Sequence, residues 1–224
     1  MPTKTKTLLG GLSLIAFAAI ALGVITHAAW LAQLDAAAST LATRAIDPMN
    51  TALFKVVAAL GSPATVIGLT ALLCLWLWLQ QGPVVSLWFA GLQLGGSAIT
   101  EGFKLLIDRS RPLHQLVLDH GASFPSGHTF CTALLVFTLW TLCLPHIQDQ
   151  KTQLITVLIG IGWIAMVAIS RVYLRDHYLS DVLASVYLAS GWWLLVTPAE
   201  AFIQAKMRQF LPEGMLKSWP HQNR

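Results

Sequence analysis

Residues 154–169 read LITVLIGIGWIAMVAI, sixteen positions without a charge or a proline, and Arg171 follows closely. An uncharged run of this kind, too long for a core strand and closed by a cation, is the pattern of a helix that crosses a bilayer. Five further apolar runs lie at residues 8–31, 64–79, 84–99, 129–144 and 179–197. Several fall near the short end of the roughly 17–25 residues a span needs, and each extends by a few flanking positions. The predicted fold is an all-α polytopic membrane helix bundle with six transmembrane helices, in a single domain over residues 1–224.

Composition points the same way. Charged residues make up 11% of the chain and hydrophobic ones 55%, against about 25% charged in a soluble domain. The net charge of +4 comes from residues scattered at the ends of apolar runs. A long basic stripe interleaved with aromatics is missing, which argues against a nucleic-acid partner. Cys74, Cys131 and Cys143 lie inside apolar runs with no metal-ligand spacing, so buried structural thiols are expected.

Lys4 and Lys6 precede the first run, which at about 24 residues exceeds the ~7–15 of a signal core. The small residues at 36–38 offer a cleavage site, but an uncleaved first helix is the expectation. Residues 33–63 are less apolar. Within them Pro48–Leu60 has helical spacing, with Ala52, Leu53, Val56, Val57 and Leu60 on one face and Lys55 elsewhere. Gly61-Ser62-Pro63 then breaks the chain. This stretch reads as an interfacial helical segment after the first span, or as a plain loop. Gly91 and Gly95 in the third run have the small-xxx-small spacing of close helix packing.

Charges beside hydrocarbon are costly, so their placement is informative. Three clusters stand out. Lys104 and Arg111 are seven residues apart, two turns of a helix that Pro112 would end. Pro125-Ser126-Gly127-His128 opens the fourth run with a short turn whose backbone N–H groups suit an anion. Ser170 and Arg171 close the fifth run. His177 and Asp181 follow at i, i+4, a spacing that lets the carboxylate take one imidazole N–H and leave the other nitrogen nucleophilic. With six spans all three clusters fall at odd-numbered loops, hence at one membrane face. Cations, N–H donors, a nucleophile and an acid in one pocket are what phosphoryl transfer requires.

The three clusters resemble the signature of the type 2 phosphatidic acid phosphatase superfamily, which also contains vanadium haloperoxidases and bacterial acid phosphatases. The pattern is Lys, six residues, Arg-Pro; then Pro-Ser-Gly-His; then Ser-Arg, five residues, His, three residues, Asp. This chain matches it at every fixed position between Lys104 and Asp181, and the six-span layout is similar to the membrane-bound lipid phosphatase branch. The resemblance implies that His177 attacks phosphorus with Asp181 orienting it, and that His128 protonates the leaving group and then activates water. It implies that Lys104, Arg111, Ser126, the Gly127 backbone and Arg171 hold the phosphate oxygens, and that no metal or other cofactor is needed.

Asp108, Arg109, Arg175 and Asp176 occupy variable positions within the motifs, and surface pairing is expected of them. His114, Asp119 and His120 read as solvated loop. No role follows for His27 or Glu101. Lys4, Lys6, Lys151, Lys206, Arg208, Lys217 and Arg224 lie on the terminal side. With Lys104, Arg111 and Arg171 set apart, four basic residues oppose these seven, which puts the termini in the cytoplasm and the site at the extracytoplasmic face.

A serine hydrolase built on Ser126 lacks the glycine two positions before the nucleophile. A transporter would hold its charges nearer the midplane. A lipid phosphotransferase is the closer alternative, since only the acceptor differs. The partners expected are the bilayer and a lipid phosphate: phosphatidylglycerol phosphate, phosphatidate or undecaprenyl diphosphate. Oligomeric state is left open.

Overall fold

The computed structural model describes residues 2–212, so Lys217 and Arg224 lie outside it. Helices α1 (Thr3–Ile25), α2 (Ala29–Arg44), α3 (Pro48–Leu60), α4 (Pro63–Gln81) and α5 (Pro83–Ile107) form the first half of the chain. After a long loop come α6 (Gly127–Cys143), α7 (Gln150–Tyr173), α8 (Leu179–Val196) and α9 (Glu200–Phe210). Among the described residues, five helical segments are long and apolar enough to cross a membrane: Thr3–Ile25, Pro63–Gln81, Gly127–His146, Gln150–Tyr173 and Leu179–Phe210. The chain is a multi-pass membrane helix bundle. α5 has 25 residues, the length of a span, but carries Gln93, Glu101 and Lys104.

The boundaries have local causes. Asp47 caps α3, its Oδ1 accepting from the Met49 and Asn50 amides at 2.8 and 3.0 Å, with Pro48 at the first helical position. Ser62 and Asp149 cap α4 and α7 in the same way. Gly82, at φ 92°, separates α4 from α5.

α6 sits in the middle of the bundle, with Phe130, Ala133 and Leu134 wholly buried, and packs against α4, α5, α7 and α8. α1 lies along α8. A Cβ at Gly191 would come within 2.5 Å of the Leu14 side chain, and one at Gly10 within 2.9 Å of Leu195, so these glycines set the close approach. Gly96 does the same for α5 against α6, where a Cβ would meet Leu134 at 2.8 Å. Of the expected pair, Gly95 faces Trp192 and Gly91 faces open space.

Several expectations change. The first apolar run is two helices, broken at Thr26–Ala28, where His27 turns the chain at φ 51°. α2 therefore occupies much of residues 33–47, ahead of the helical segment expected at Pro48–Leu60. α3 has the expected bounds; of the predicted face Val57 is buried while Leu53, Val56 and Leu60 are exposed, and Phe54 and Ala58 pack with Tyr173. In a bundle surrounded by lipid an apolar side chain need not point inward. Cys74 and Cys131 are buried, but Cys143, at the last turn of α6, is exposed.

Candidate active site

The end of α5 with its following loop, the start of α6, and the turn between α7 and α8 meet at one end of the bundle. The backbone ties them: Ser123 N–H donates to the Arg109 carbonyl at 2.8 Å, Ser126 N–H to the Asp181 carbonyl at 3.4 Å, and Leu116 N–H to the Leu174 carbonyl at 2.9 Å.

α5 stops at Ile107 because Asp108 adopts a left-handed conformation, φ 44°. Arg111 is therefore not two helical turns above Lys104 on one face, as its spacing suggested. It lies in the loop and reaches the site from there. Its Nε and Nη2 donate to the Gly121 and His120 carbonyls, both at 3.0 Å. Nη1 donates to the Asp176 carbonyl at 3.1 Å and lies 3.4 Å from His177 Nε2. Lys104, on the last turn of α5, pairs with Glu101 at 2.9 Å. Its ammonium overlies Gly127, where a Cβ would sit 3.4 Å away.

His177 is 2% exposed. Its Nδ1 is 2.7 Å from the Ser123 carbonyl, which can only accept, so Nδ1 carries the proton and Nε2 presents its lone pair toward Arg111. Asp181 Oδ2 is 3.5 Å from Nδ1 and instead accepts the Tyr178 N–H at 2.9 Å. The i, i+4 hydrogen bond expected between the two side chains is thus replaced by one to a carbonyl. The reason is that α8 begins at Leu179, leaving His177 outside the helix. Burial first, then Arg171, Arg111 and Lys104, hold His177 well below the usual histidine pKa. The ring is neutral at physiological pH.

Ser126 is fully buried and caps α6, its Oγ accepting from the Thr129 N–H at 3.4 Å. Its hydroxyl therefore has a structural partner, and its own N–H is bonded to the Asp181 carbonyl. His128 is on the first turn, half-buried, within electrostatic reach of Arg171, His177, Asp119 and Lys104.

Three residues read as surface pairing or solvated loop, Asp176, Asp119 and Arg109, belong to this cluster, together with Asp35, to which the sequence alone assigns no role. Asp176 is wholly buried. Its Oδ2 pairs with Arg111 at 2.8 Å and with Arg171, and lies 3.4 Å from His177 Nε2, while Oδ1 accepts from Gln115 at 2.9 Å. Asp119 pairs with Arg171 at 3.2 Å and faces Arg111 at 3.6 Å. Although burial opposes it, these arginines and the His120 N–H hold Asp119 below the usual carboxylate pKa. Arg109, its guanidinium 3.9 Å over the Tyr178 ring, pairs with Asp181 and with Asp35 of α2. A charge inside an apolar stretch, as at Asp35, was the available signal. Of the other motif residues, Asp108 ends α5 and Arg175 reaches Thr43.

Among the described residues, no three His, Cys, Asp or Glu side chains come together in a way that could hold a metal ion. The end of the bundle presents a buried, neutral imidazole facing three cations and a helix N-terminus, an arrangement suited to an attack on phosphorus.

The sequence model described as the PAP2 superfamily matches residues 84–203. Phosphatidylglycerophosphatase B of Haemophilus influenzae is 35% identical over 95 residues, a match covering 42% of this chain and 38% of that protein's length. A solved transmembrane PAP2-type phosphatidylglycerolphosphate phosphatase from Bacillus subtilis superposes with a TM-score of 0.72 at 22% identity, over 91% of this chain and 97% of that one. That likeness is one of fold.

Proposed function

The chain belongs to the PAP2 superfamily, and from that premise we propose that it removes phosphate from a membrane lipid through a phosphohistidine at His177. The observation that carries this is the setting of His177: buried, with Nδ1 held by the Ser123 carbonyl and Nε2 turned toward Arg111 and Asp176, each 3.4 Å away. In the first step Nε2 bonds to phosphorus as the bond to the leaving oxygen breaks, and His128, which takes up a proton from the medium once the phosphate dianion offsets the surrounding cations, gives that proton to the leaving oxygen. In the second, His128 takes a proton from water as the water oxygen bonds to phosphorus. The N–P bond breaks, releasing inorganic phosphate and the free imidazole. Lys104, Arg111, Arg171 and the Gly127 backbone balance the phosphoryl charge. The Ser123 carbonyl and Asp181 favour the positive ring of the phosphohistidine.

Counting α5 as the third crossing gives six spans, with α3 at the interface. The distribution of basic residues then favours termini in the cytoplasm and a site on the extracytoplasmic side. The names of the relatives make phosphatidylglycerol phosphate the first substrate to try, followed by phosphatidate and undecaprenyl diphosphate.

The test is acid-quench trapping with labelled substrate on protein purified in detergent, alongside phosphate release from the three lipids. Wild type should form an acid-labile phosphoenzyme and His177→Ala none, with turnover abolished. His128→Ala should still phosphorylate from a substrate with a good leaving group but turn over poorly. Phosphoenzyme in His177→Ala would remove the assignment.

A further inference from the structure

Asp35 lies far from the motifs in sequence, on α2, and is 5% exposed. A carboxylate is costly to bury unless it is paired and hydrogen-bonded, and this one is both. Oδ1 accepts the Ser180 N–H at 2.9 Å, and Oδ2 accepts the Ser180 hydroxyl and Arg109 Nη2, each at 2.7 Å. The other terminal nitrogen of Arg109 donates to Asp181 Oδ1 at 2.5 Å. Asp181 is wholly buried, and its second oxygen is 3.5 Å from His177 Nδ1. Alternating charges thus run from α2 through the α5–α6 loop to the nucleophile.

Arg109 and Asp181 alone would cancel. With Asp35 the trio carries one net negative charge, beside a ring that becomes positive when Nε2 bonds to phosphorus. The opposite edge of that ring faces Arg111 and Arg171, with Asp176 between them, and Lys104 and His128 nearby. On that side the nearest carboxylate, Asp176 Oδ2 at 3.4 Å from Nε2, is shared with both arginines, so it leaves less charge for a positive ring. In surroundings of low dielectric, one uncancelled charge close to the ring is a large effect.

We propose that Asp35 is a positioning residue of the site: it occupies half of the Arg109 fork, so that Asp181 keeps its charge for His177. This rests on His177 being the nucleophile. The competing account is purely structural, with Asp35 tying α2 to the first turn of α8 through Ser180. Loss of the tie would lower stability whatever the charge on Arg109.

The experiment compares wild type, Asp35→Asn and the double variant Asp35→Asn/Arg109→Gln for phosphoenzyme formation rate, kcat, KM and thermal unfolding in detergent. Asp35→Asn should slow phosphorylation and kcat by about tenfold or more with KM little changed, because no phosphate-facing group is altered. Adding Arg109→Gln, which frees Asp181 of its counter-ion, should recover most of the loss. Wild-type phosphorylation by Asp35→Asn overturns the proposal. So does a loss confined to KM, a double variant no faster than the single one, or variants that fail to fold under conditions where wild type is folded. A wild-type enzyme without phosphohistidine at 177 would instead remove the mechanism above, independently of the role of Asp35.

Discussion

Arg111→Lys keeps the charge at the site and removes the fork. In the structure the guanidinium reaches three backbone carbonyls, of Gly121, His120 and Asp176, and faces the Asp176 carboxylate and His177 Nε2. The single nitrogen of lysine can keep the Asp176 partners but must give up the carbonyls of 120 and 121. Those two bonds lie at the exposed edge, where water substitutes, so at about 0.5–1.5 kcal/mol each the stability loss is about 1–3 kcal/mol. The kinetic loss has a separate origin. A planar fork can hold two phosphate oxygens where an ammonium acts as a point charge. A tenfold fall in kcat/KM, about 1.4 kcal/mol of transition-state stabilisation, is the least expected. Initial rates of phosphate release below the variant's unfolding temperature isolate this from stability. Wild-type kinetics there would mean that Arg111 only pins the 119–121 loop to the α7–α8 turn, and the phosphate-binding role would have to go.

Two further outcomes follow from the charges at the site. Because Lys104, Arg111 and Arg171 supply the positive charge, activity should survive excess EDTA and vanadate should inhibit competitively; loss in EDTA restored by Mg²⁺ would overturn the site chemistry. His177 stays neutral when folded but takes up a proton near pH 6.5 when unfolded. Its contribution to stability is therefore complete above that pH and is lost as the pH falls, by up to about 1.4 kcal/mol per pH unit. Unfolding in detergent between about pH 7 and 5 should show this slope flattened in His177→Asn, and an unchanged slope would refute the buried neutral ring.

The apolar runs located the long helices because hydrocarbon tolerates few alternatives to them. α3 was legible from Asp47-Pro48 at its start and Gly61-Ser62-Pro63 after its end. The break before α2 was not, since His27 takes a positive φ without the glycine that usually marks one. Asp108 hides the end of α5 for the same reason, which is why Arg111 was placed on a helix. The motif residues stood out as charges beside apolar runs. Their partners did not, because Asp35, Asp119 and Asp176 acquire meaning only through contacts that the fold creates with Arg109, Arg111 and Arg171.

The ion pairs made by Asp119 and Asp176 change what it means for a phosphate to enter. Both arginines are already matched by carboxylates, so under the proposed function substrate entry would be an exchange of anions and not the filling of a bare cationic hole. Asp176, wholly buried on the residue next to the nucleophile, has little room to leave, whereas Asp119 is 37% exposed on a loop and can swing away. An incoming dianion must outcompete that carboxylate, which a monovalent ion from the medium does poorly. On the way out the same carboxylate can return to the arginines and displace inorganic phosphate. Under the proposed function, selectivity for a doubly charged group and ready release of product would then have one origin.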